Sequence, residues 1–344
     1  MEKAVELHRK IAPELISIIE DRFTILRHVQ YAQPVGRRAL AAALNMGERV
    51  VRAQVDFLKG AGLIGFTPLG MTVTAEGEAV LGDLADYVRA LHGLSALENE
   101  LAAGLRVRRV VIIRGDAGAD PAALRELGRA AAGVLGEYLG DNMTVAISGG
   151  SSMARVAEAV TFAAPGVTVV PVRGGLGEKV EHQANTIAAA MATRMGGRYR
   201  LLHLPDGVGG KALDLLFAHD PNVRAVAEMI RRSDILLHGI GRADAMASRR
   251  GGTADHIGEL AGRGAVGEAL GHYAALNGTI VHTAGSVGIP LEELAKDRRV
   301  IAVAGGRHKA AAIVAVTAAG SNDVLVTDEA AARAIQDIIK KAQS

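Results

Sequence analysis

The stretch Thr144–Ser152, TVAISGGSS, is a short β-branched run that breaks into glycines and hydroxyls, and the helical pattern MARVAEAV follows at once. A strand–turn–helix junction of this kind leaves the first N–H groups of the helix unpaired, and the helix dipole favours an anion there. Glycine lets the backbone approach a ligand closely, and serine adds donors. The chemistry that needs all three is the holding of a phosphate. Three further strand-like runs end in the same manner, at Arg173-Gly174-Gly175, Gly239-Ile240-Gly241-Arg242 and Gly305-Gly306-Arg307-His308-Lys309. Arg173, Arg242, Arg249, Arg250, Arg307 and Lys309 lie in or near these ends. One Gly-Gly-Ser turn serves packing as well as binding. Four such ends with six cations predict a phosphate-type anion site.

Several neighbouring chemistries lack their residues. The pattern Gly-x-x-x-x-Gly-Lys-Ser/Thr of nucleoside triphosphatases is missing, and the nearest stretch, GVGGKALD at Gly207–Asp214, has the wrong spacing. No Gly-x-Gly-x-x-Gly follows the first strand, so a dinucleotide cofactor is not expected. The eleven histidines show no metal-ligand spacing, and no metal site is expected. Asp206, Glu268 and His272 are titratable, but they form no spaced acid–base set. No catalytic residue is assigned and the chain is read as a non-enzyme. A sugar-phosphate isomerase or deaminase with an accessory N-terminal domain remains the alternative, since phosphate turns suit both.

The elements that must position these turns are legible as runs. VRRVVIIRG, TVAISGG, VTVVPVRGG, RYRLLHLP, DILLHGIG, GTIVHTAG, RVIAVAGG and NDVLVTD alternate with helical stretches from Val107 onward. Their apolar residues are continuous, as in strands covered on both faces. Eight such strands predict a doubly wound, mostly parallel α/β sheet over residues 106–344. Ligands of such sheets gather beyond the carboxyl ends of the strands, where the glycine turns lie.

Residues 1–82 read differently, as short helices followed by two extended pieces around Pro68 and Gly70. Pro34 stops the first long helix. VGRRALAAAL is a short second helix, NMG a turn, and ERVVRAQVDFLKGAG a third helix. On the third, Val51, Val55 and Leu58 share one face, and Glu48, Arg49, Arg52 and Asp56 the opposite one. Between Arg22 and Gly60 seven basic residues stand against two acids, which predicts a basic face for an anionic partner. This is the pattern of a winged helix-turn-helix, whose second helix enters the major groove of operator DNA. Arg49 and Arg52 are placed to reach base edges; Arg37, Arg38 and Lys59 to meet phosphates.

Residues 83–105, DLADYVRALHGLSALENELAAGL, predict a linker helix. Leu84, Tyr87, Leu91, Leu94, Leu101 and Leu105 follow three- and four-residue steps, with Glu98 standing where an apolar residue was due. The pattern suits a dimer-forming helix or one packed along its own domain. The 344 residues carry no cysteine, a formal net charge of +2, 49% hydrophobic and only 3% aromatic residues. The absence of thiols fits a reducing cytoplasm, and no run of membrane-spanning length or signal-peptide core is expected.

The stretches ISGGSSMARVAEAV, VVPVRGGLGEKVEHQANTIAAAMA, DILLHGIGRADAMASRRG, GAVGEALGHY, VIAVAGGRHKAAAI and DVLVTDEAAARAI together resemble the SorC family of bacterial sugar-responsive transcription regulators, and within it the regulators of glycolytic genes. The resemblance covers nearly the whole chain. It implies a cytoplasmic, tetrameric repressor that binds operator DNA, with an effector domain similar to sugar-phosphate isomerases and deaminases that works as a sensor. The implied effector is fructose 1,6-bisphosphate or a related sugar phosphate. The resemblance implies that Gly149, Gly150, Ser151 and Ser152 cradle one phosphate, with threonine expected where Ser151 and Ser152 stand. Arg173, Gln183, Arg250, Glu268 and Lys309 would complete the pocket, Glu268 accepting hydroxyls and the cations facing the other phosphate. The expected partners are operator DNA, the sugar phosphate and further copies of the chain, as a dimer or tetramer, with no membrane.

Overall fold

Why the two halves of the chain read so differently is plain in a computed structural model that describes residues 8, 10–44, 46–176, 179–208, 210–285, 298–320 and 322–343. The chain divides into two compact units, Met1–Ala96 and Leu97–Ser344.

In the first unit, helix Pro13–Ala32 begins with proline at its first turn and gives way to extended backbone at Gln33, before Pro34. Helices Arg37–Leu44 and Glu48–Gly60 follow, then the antiparallel strands β1 (Ile64–Thr67) and β2 (Gly70–Val73), then helix Ala75–Leu91. Phe23, Ile25, Leu26, Val29, Leu40, Val51, Val55, Leu58, Ile64 and Met71 form one core. As the periodicity requires, Val51, Val55 and Leu58 face inward, and Glu48, Arg49, Arg52 and Asp56 stand exposed.

Residues 83–105 do not form one helix. Gly93, at φ +63°, separates helix Ala75–Leu91 from helix Leu94–Leu105. The apolar stripe is divided: Val88 and Leu91 belong to the core of the first unit, and Leu101 and Leu105 are buried in the second. Glu98 interrupts the heptad for a reason. Its carboxylate accepts the Ile112 N–H at 2.7 Å. Glu100 pairs with Lys340 at 3.7 Å, and a Cβ on Gly104 would come within 2.9 Å of Ile339. Helix Leu94–Leu105 therefore lies against the C-terminal helix Glu329–Gln343.

The second unit carries a seven-stranded parallel sheet of β3 (Arg109–Ile113), β4 (Thr144–Ile147), β5 (Thr168–Pro171), β6 (Arg198–Tyr199), β7 (Ile235–Gly239), β12 (Arg299–Val303) and β13 (Val324–Asp328). Their spatial order is β3-β13-β12-β7-β4-β5-β6. Ile112, Val145, Ile147, Val169, Leu237, Ile301 and Val326 are nearly inaccessible, which accounts for their continuous apolar runs. The order reverses between β4 and β7, and at that switch point a crevice opens beyond the strand ends.

One of the eight expected strands, GTIVHTAG, does not join this sheet. It supplies β11 (Ile280–Thr283) to a separate antiparallel sheet with β8 (Gly241–Arg242), β9 (Ala265–Ala269) and β10 (His272–Ala275), ordered β11-β10-β9-β8. Leu270 and Gly271, both at positive φ, close the two-residue turn between β9 and β10.

Close helix contact sets the position of the turn after β4. A Cβ on Gly128, in helix Pro121–Tyr138, would lie 2.6 Å from the Arg155 backbone in helix Ser151–Ala159. Gly128→Ala should force these helices apart and lower stability by about 1–3 kcal/mol. Gly133→Ala, on the same helix with open space around it, should be neutral or stabilising by up to about 1 kcal/mol. Urea unfolding of the two variants checks both signs.

Candidate functional site

The crevice at the switch point is a cavity of about 760 Å3. Gly149, Gly150, Ser151, Ser152, Arg173, Gln183, Arg250, Glu268 and Lys309 all line it. The structure thus brings together every residue the sequence assigned to the pocket. Arg242 and Arg249 line it as well, and Arg307 does not.

The turn after β4 leads into a helix start without a side-chain cap. Gly150, at φ +113°, precedes this helix, Ser151–Ala159. The Gly150 N–H donates to the His182 carbonyl at 2.9 Å, and a Cβ on Gly149 would meet that carbonyl oxygen at 2.7 Å. Only glycine allows this approach. Ser148 Oγ accepts the Gly239 N–H at 3.1 Å, which ties the turn after β4 to the end of β7. The hydroxyls of Ser151 and Ser152 have no hydrogen-bond partner among the described residues.

A second cationic point lies two strands away. Lys309 ends the 3-10 turn Arg307–Lys309 after β12, and strand spacing puts that end about 10 Å from the end of β4. Burial and the nearby Arg249 hold the Lys309 ammonium below its ordinary pKa, while Asp328 acts in the opposite sense. The carboxylate of Asp328, inaccessible to solvent, accepts the N–H groups of Ala117 at 2.7 Å, Gly306 at 2.5 Å and Ala331 at 2.7 Å. Burial still raises its pKa. These bonds join the ends of β3, β12 and β13 and fix the turn that carries Lys309.

Between and beyond these points the charges are already matched. Asp206 accepts from Arg173 Nε at 2.7 Å and from Arg250 Nε at 2.9 Å. Glu268 accepts from Arg250 Nη2 at 2.9 Å and from the Gly271 N–H at 2.6 Å, and Arg173 Nη1 stands 3.8 Å from it. Arg250 Nη1 completes the group at the Tyr273 hydroxyl, 2.9 Å away. The four charged side chains are between 3% and 12% exposed. Burial opposes the charge of Arg250, yet Glu268, Tyr273 and Asp206 outweigh it and raise its pKa. Arg173 packs against the β9–β10 turn, where a Cβ on Gly271 would fall 2.0 Å from Nη1.

Gln183 lines the cavity with its amide engaged. Oε1 accepts the Leu176 N–H at 2.8 Å, and Nε2 donates to the Leu176 carbonyl at 3.1 Å. Its visible work is to hold the loop after β5. The titratable trio considered for acid–base chemistry is not assembled: Asp206 and Glu268 are taken up by arginines, and His272 Nδ1 lies 3.2 Å from Thr283 Oγ1. No group of three or more metal-ligating side chains occurs among the described residues, and no helix there is long and apolar enough to cross a membrane.

The exposed face of helix Glu48–Gly60 forms the other candidate site. Arg49 and Arg52 are exposed and have no partner among the described residues. Arg37 pairs with Asp56 at 2.8 Å and Arg38 with Glu48 at 3.3 Å, all on the surface. Lys59 Nζ lies 5.0 Å over the Phe66 ring.

Two family models cover the two parts of the chain and meet within helix Ala75–Leu91, ahead of the boundary between the compact units. The CggR N-terminal DNA-binding domain matches residues 18–88, and the sugar-binding domain matches residues 89–336. The chain is 41% identical to the central glycolytic genes regulator of Priestia megaterium over 336 residues, covering 97% of this chain and 98% of that one. It belongs to the SorC family of sugar-responsive transcription regulators. The regulator of the same name from Bacillus subtilis is 38% identical over 335 residues, 97% of this chain and 98% of that one. Among solved structures, a SorC family transcriptional regulator from Enterococcus faecalis superposes with a TM-score of 0.65 at 33% identity, over 70% of this chain and 99% of that chain. The full-length sorbitol operon regulator of Klebsiella pneumoniae shares the fold over 94% of this chain and 99% of that chain, with a TM-score of 0.64 at 17% identity.

Sequence reading of this family member missed Tyr273 and the pairing role of Asp206. It read His238 as a polar contact or satisfied interior group, and the residue is 2% exposed, with Nδ1 3.1 Å from the Gly239 carbonyl and Nε2 2.8 Å from Asn322 Oδ1. Burial lowers its pKa against both hydrogen bonds. The folded chain then takes up this proton less readily than the unfolded one. The stability it contributes is complete above the unfolded histidine value of about 6.5 and is lost as pH falls below it. Urea midpoints at pH 7.5 and 5.5 should show this loss, and His238→Gln should reduce it.

Proposed function

We propose that this chain is a repressor of glycolytic genes whose hold on operator DNA is set by fructose 1,6-bisphosphate. The observation that supports the reading is the pairing, in one cavity, of an uncapped helix start at Ser151 with Lys309 and the nearby Arg249. Between them runs a wall whose guanidinium and carboxylate charges already cancel. A ligand with an anion at each end and hydroxyls between matches that layout. The relatives named for central glycolytic genes support the choice of sugar.

In this account the N–H groups and hydroxyls of Ser151 and Ser152 bind one phosphate, and Lys309, with Arg249 beside it, the other. Glu268 and Arg250 meet the sugar hydroxyls, and Arg173 orients both from below. Gln183 shapes the wall through Leu176. Arg49 and Arg52 read bases, and Arg37, Arg38 and Lys59 meet phosphates. The surface pairs of Arg37 and Arg38 exchange for DNA at little cost, since exposed ion pairs contribute about 0–1 kcal/mol. The effector acts by preferring one arrangement of a homo-oligomer, a dimer or tetramer, because DNA binding by several copies is sensitive to geometry.

Arg52→Ala should weaken operator binding by about 1–3 kcal/mol and leave sugar binding unchanged. The double variant Ser151→Ala with Lys309→Ala should keep operator binding and lose the response to sugar. Fluorescence anisotropy on labelled DNA from upstream of the protein's own gene, at fixed salt, tests the whole reading. Binding altered by fructose 1,6-bisphosphate and not by fructose 6-phosphate is expected. Turnover of fructose 6-phosphate or glucosamine 6-phosphate would overturn it in favour of an enzyme.

A further inference from the structure

The two edges of the parallel sheet are finished in different ways. At the β3 edge a side chain of helix Leu94–Leu105 closes the ladder, since Glu98 accepts the outward Ile112 N–H at 2.7 Å. At the other edge β6 lies in the open. Arg198, Tyr199 and Arg200 are all exposed, the tyrosine by 45%. The Arg198 and Arg200 N–H groups donate inward, to the Val167 and Val169 carbonyls at 2.8 and 3.1 Å. Tyr199 stands between them, so its own N–H and carbonyl point away from the sheet. An open edge of this kind is a template for one more strand.

The side chains define what that strand must carry. From Ala184 to Pro205 the chain holds three arginines, Arg194, Arg198 and Arg200, and no acid. All three are exposed, and none has an ion pair among the described residues. The surface arginines at the start of β3 and β12 are already taken: Arg108 and Arg299 pair with Asp323 at 3.1 and 3.2 Å, and Arg109 pairs with Glu137. Along β6 the strand period puts Arg198 and Arg200 on one face and Tyr199 on the other. A second copy of this chain fits badly, because an antiparallel β6–β6 pair centred on Tyr199 would set Arg198 against Arg200. Carboxylates instead meet guanidinium groups in strong, often bidentate pairs.

We propose that the β6 edge takes up an extended acidic segment of another protein as an added strand of the sheet. The incoming backbone pairs with the Tyr199 N–H and carbonyl. Its acids lie beside Arg198 and Arg200, and an apolar residue between them packs on the Tyr199 ring. Arg194, in the last turn of helix Ala184–Met195, offers a third cation to a further carboxylate. Neither the effector cavity nor the exposed face of helix Glu48–Gly60 uses these residues, so the inference is independent of the sugar and of the operator.

The test follows a fluorescein-labelled peptide, Glu-Val-Glu-Val-Glu, by anisotropy against the full chain. Saturable binding is expected, weakening as salt rises. The same peptide with N-methylated valines keeps its charge but loses its strand hydrogen bonds, and should bind about tenfold more weakly or worse. Arg198→Ser with Arg200→Ser should lower the affinity of the unmodified peptide about tenfold. Tyr199→Pro, which removes an outward N–H and no charge, should lower it as well. The circular dichroism and urea midpoint of the arginine variant should match wild type. No saturable binding, equal binding of the methylated peptide, or an arginine variant that binds like wild type would overturn the proposal. So would a single-stranded oligonucleotide that binds through the same arginines while the peptide does not, which would assign the edge to nucleic acid.

Discussion

Two guanidinium groups and two carboxylates are closed away from water at the mouth of the parallel sheet, and the effector cavity is arranged around keeping them paired. Arg173 comes from the end of β5, Asp206 from the loop after β6, Arg250 from the end of helix Ala243–Arg249 and Glu268 from β9. Four separate pieces of chain are held by one network, and through Glu268 and Tyr273 the antiparallel sheet is fastened to the parallel one. Removing one member leaves a buried charge uncompensated, which typically costs about 3–5 kcal/mol. Within the network Arg250 is bonded through all three nitrogens to Asp206, Tyr273 and Glu268, whereas Nη1 and Nη2 of Arg173 are buried without a hydrogen bond.

The two units handle positive charge in opposite ways. In Leu97–Ser344 the arginines that matter are buried and neutralised within the chain. In Met1–Ala96 Arg49 and Arg52 stay in water without partners among the described residues. Exposed cations steer association and fall off with salt; a buried matched network does neither. The chain's net charge of +2 conceals this division completely.

The parts legible in sequence were those with a strong local period or composition. The parallel strands announce themselves because burial on both faces demands continuous apolar runs. The helix Glu48–Gly60 does so because Val51, Val55 and Leu58 must share a face. The strands β9 and β10 were missed because Gly267 and Glu268 interrupt the apolar pattern. Gly267 is required by the helix Ala310–Ala318, where a Cβ would fall 2.6 Å from the Ala312 carbonyl oxygen, and Glu268 is buried only because Arg250 meets it. The Asn277-Gly278 dipeptide ahead of β11 was the available signal for a hairpin. The stretch 83–105 reads as one helix because leucine spacing alone does not record that Gly93 turns the chain, or that Glu98 serves the Ile112 backbone. The pocket residues could be gathered from the strand ends. Which cations are free could not, because Asp206 lies 33 residues from Arg173 and 44 from Arg250.

The central claim is that the cavity takes a sugar carrying two phosphates, one on the serine turn and one on Lys309. Isothermal titration of the full chain with fructose 1,6-bisphosphate, and then with fructose 6-phosphate, tests it most directly when repeated on Lys309→Ala. The account predicts tight saturable binding of the bisphosphate, weaker binding of the monophosphate, and a variant that no longer tells the two apart. Equal affinity for both sugars in the wild type, or a Lys309→Ala chain that still prefers the bisphosphate, would contradict it.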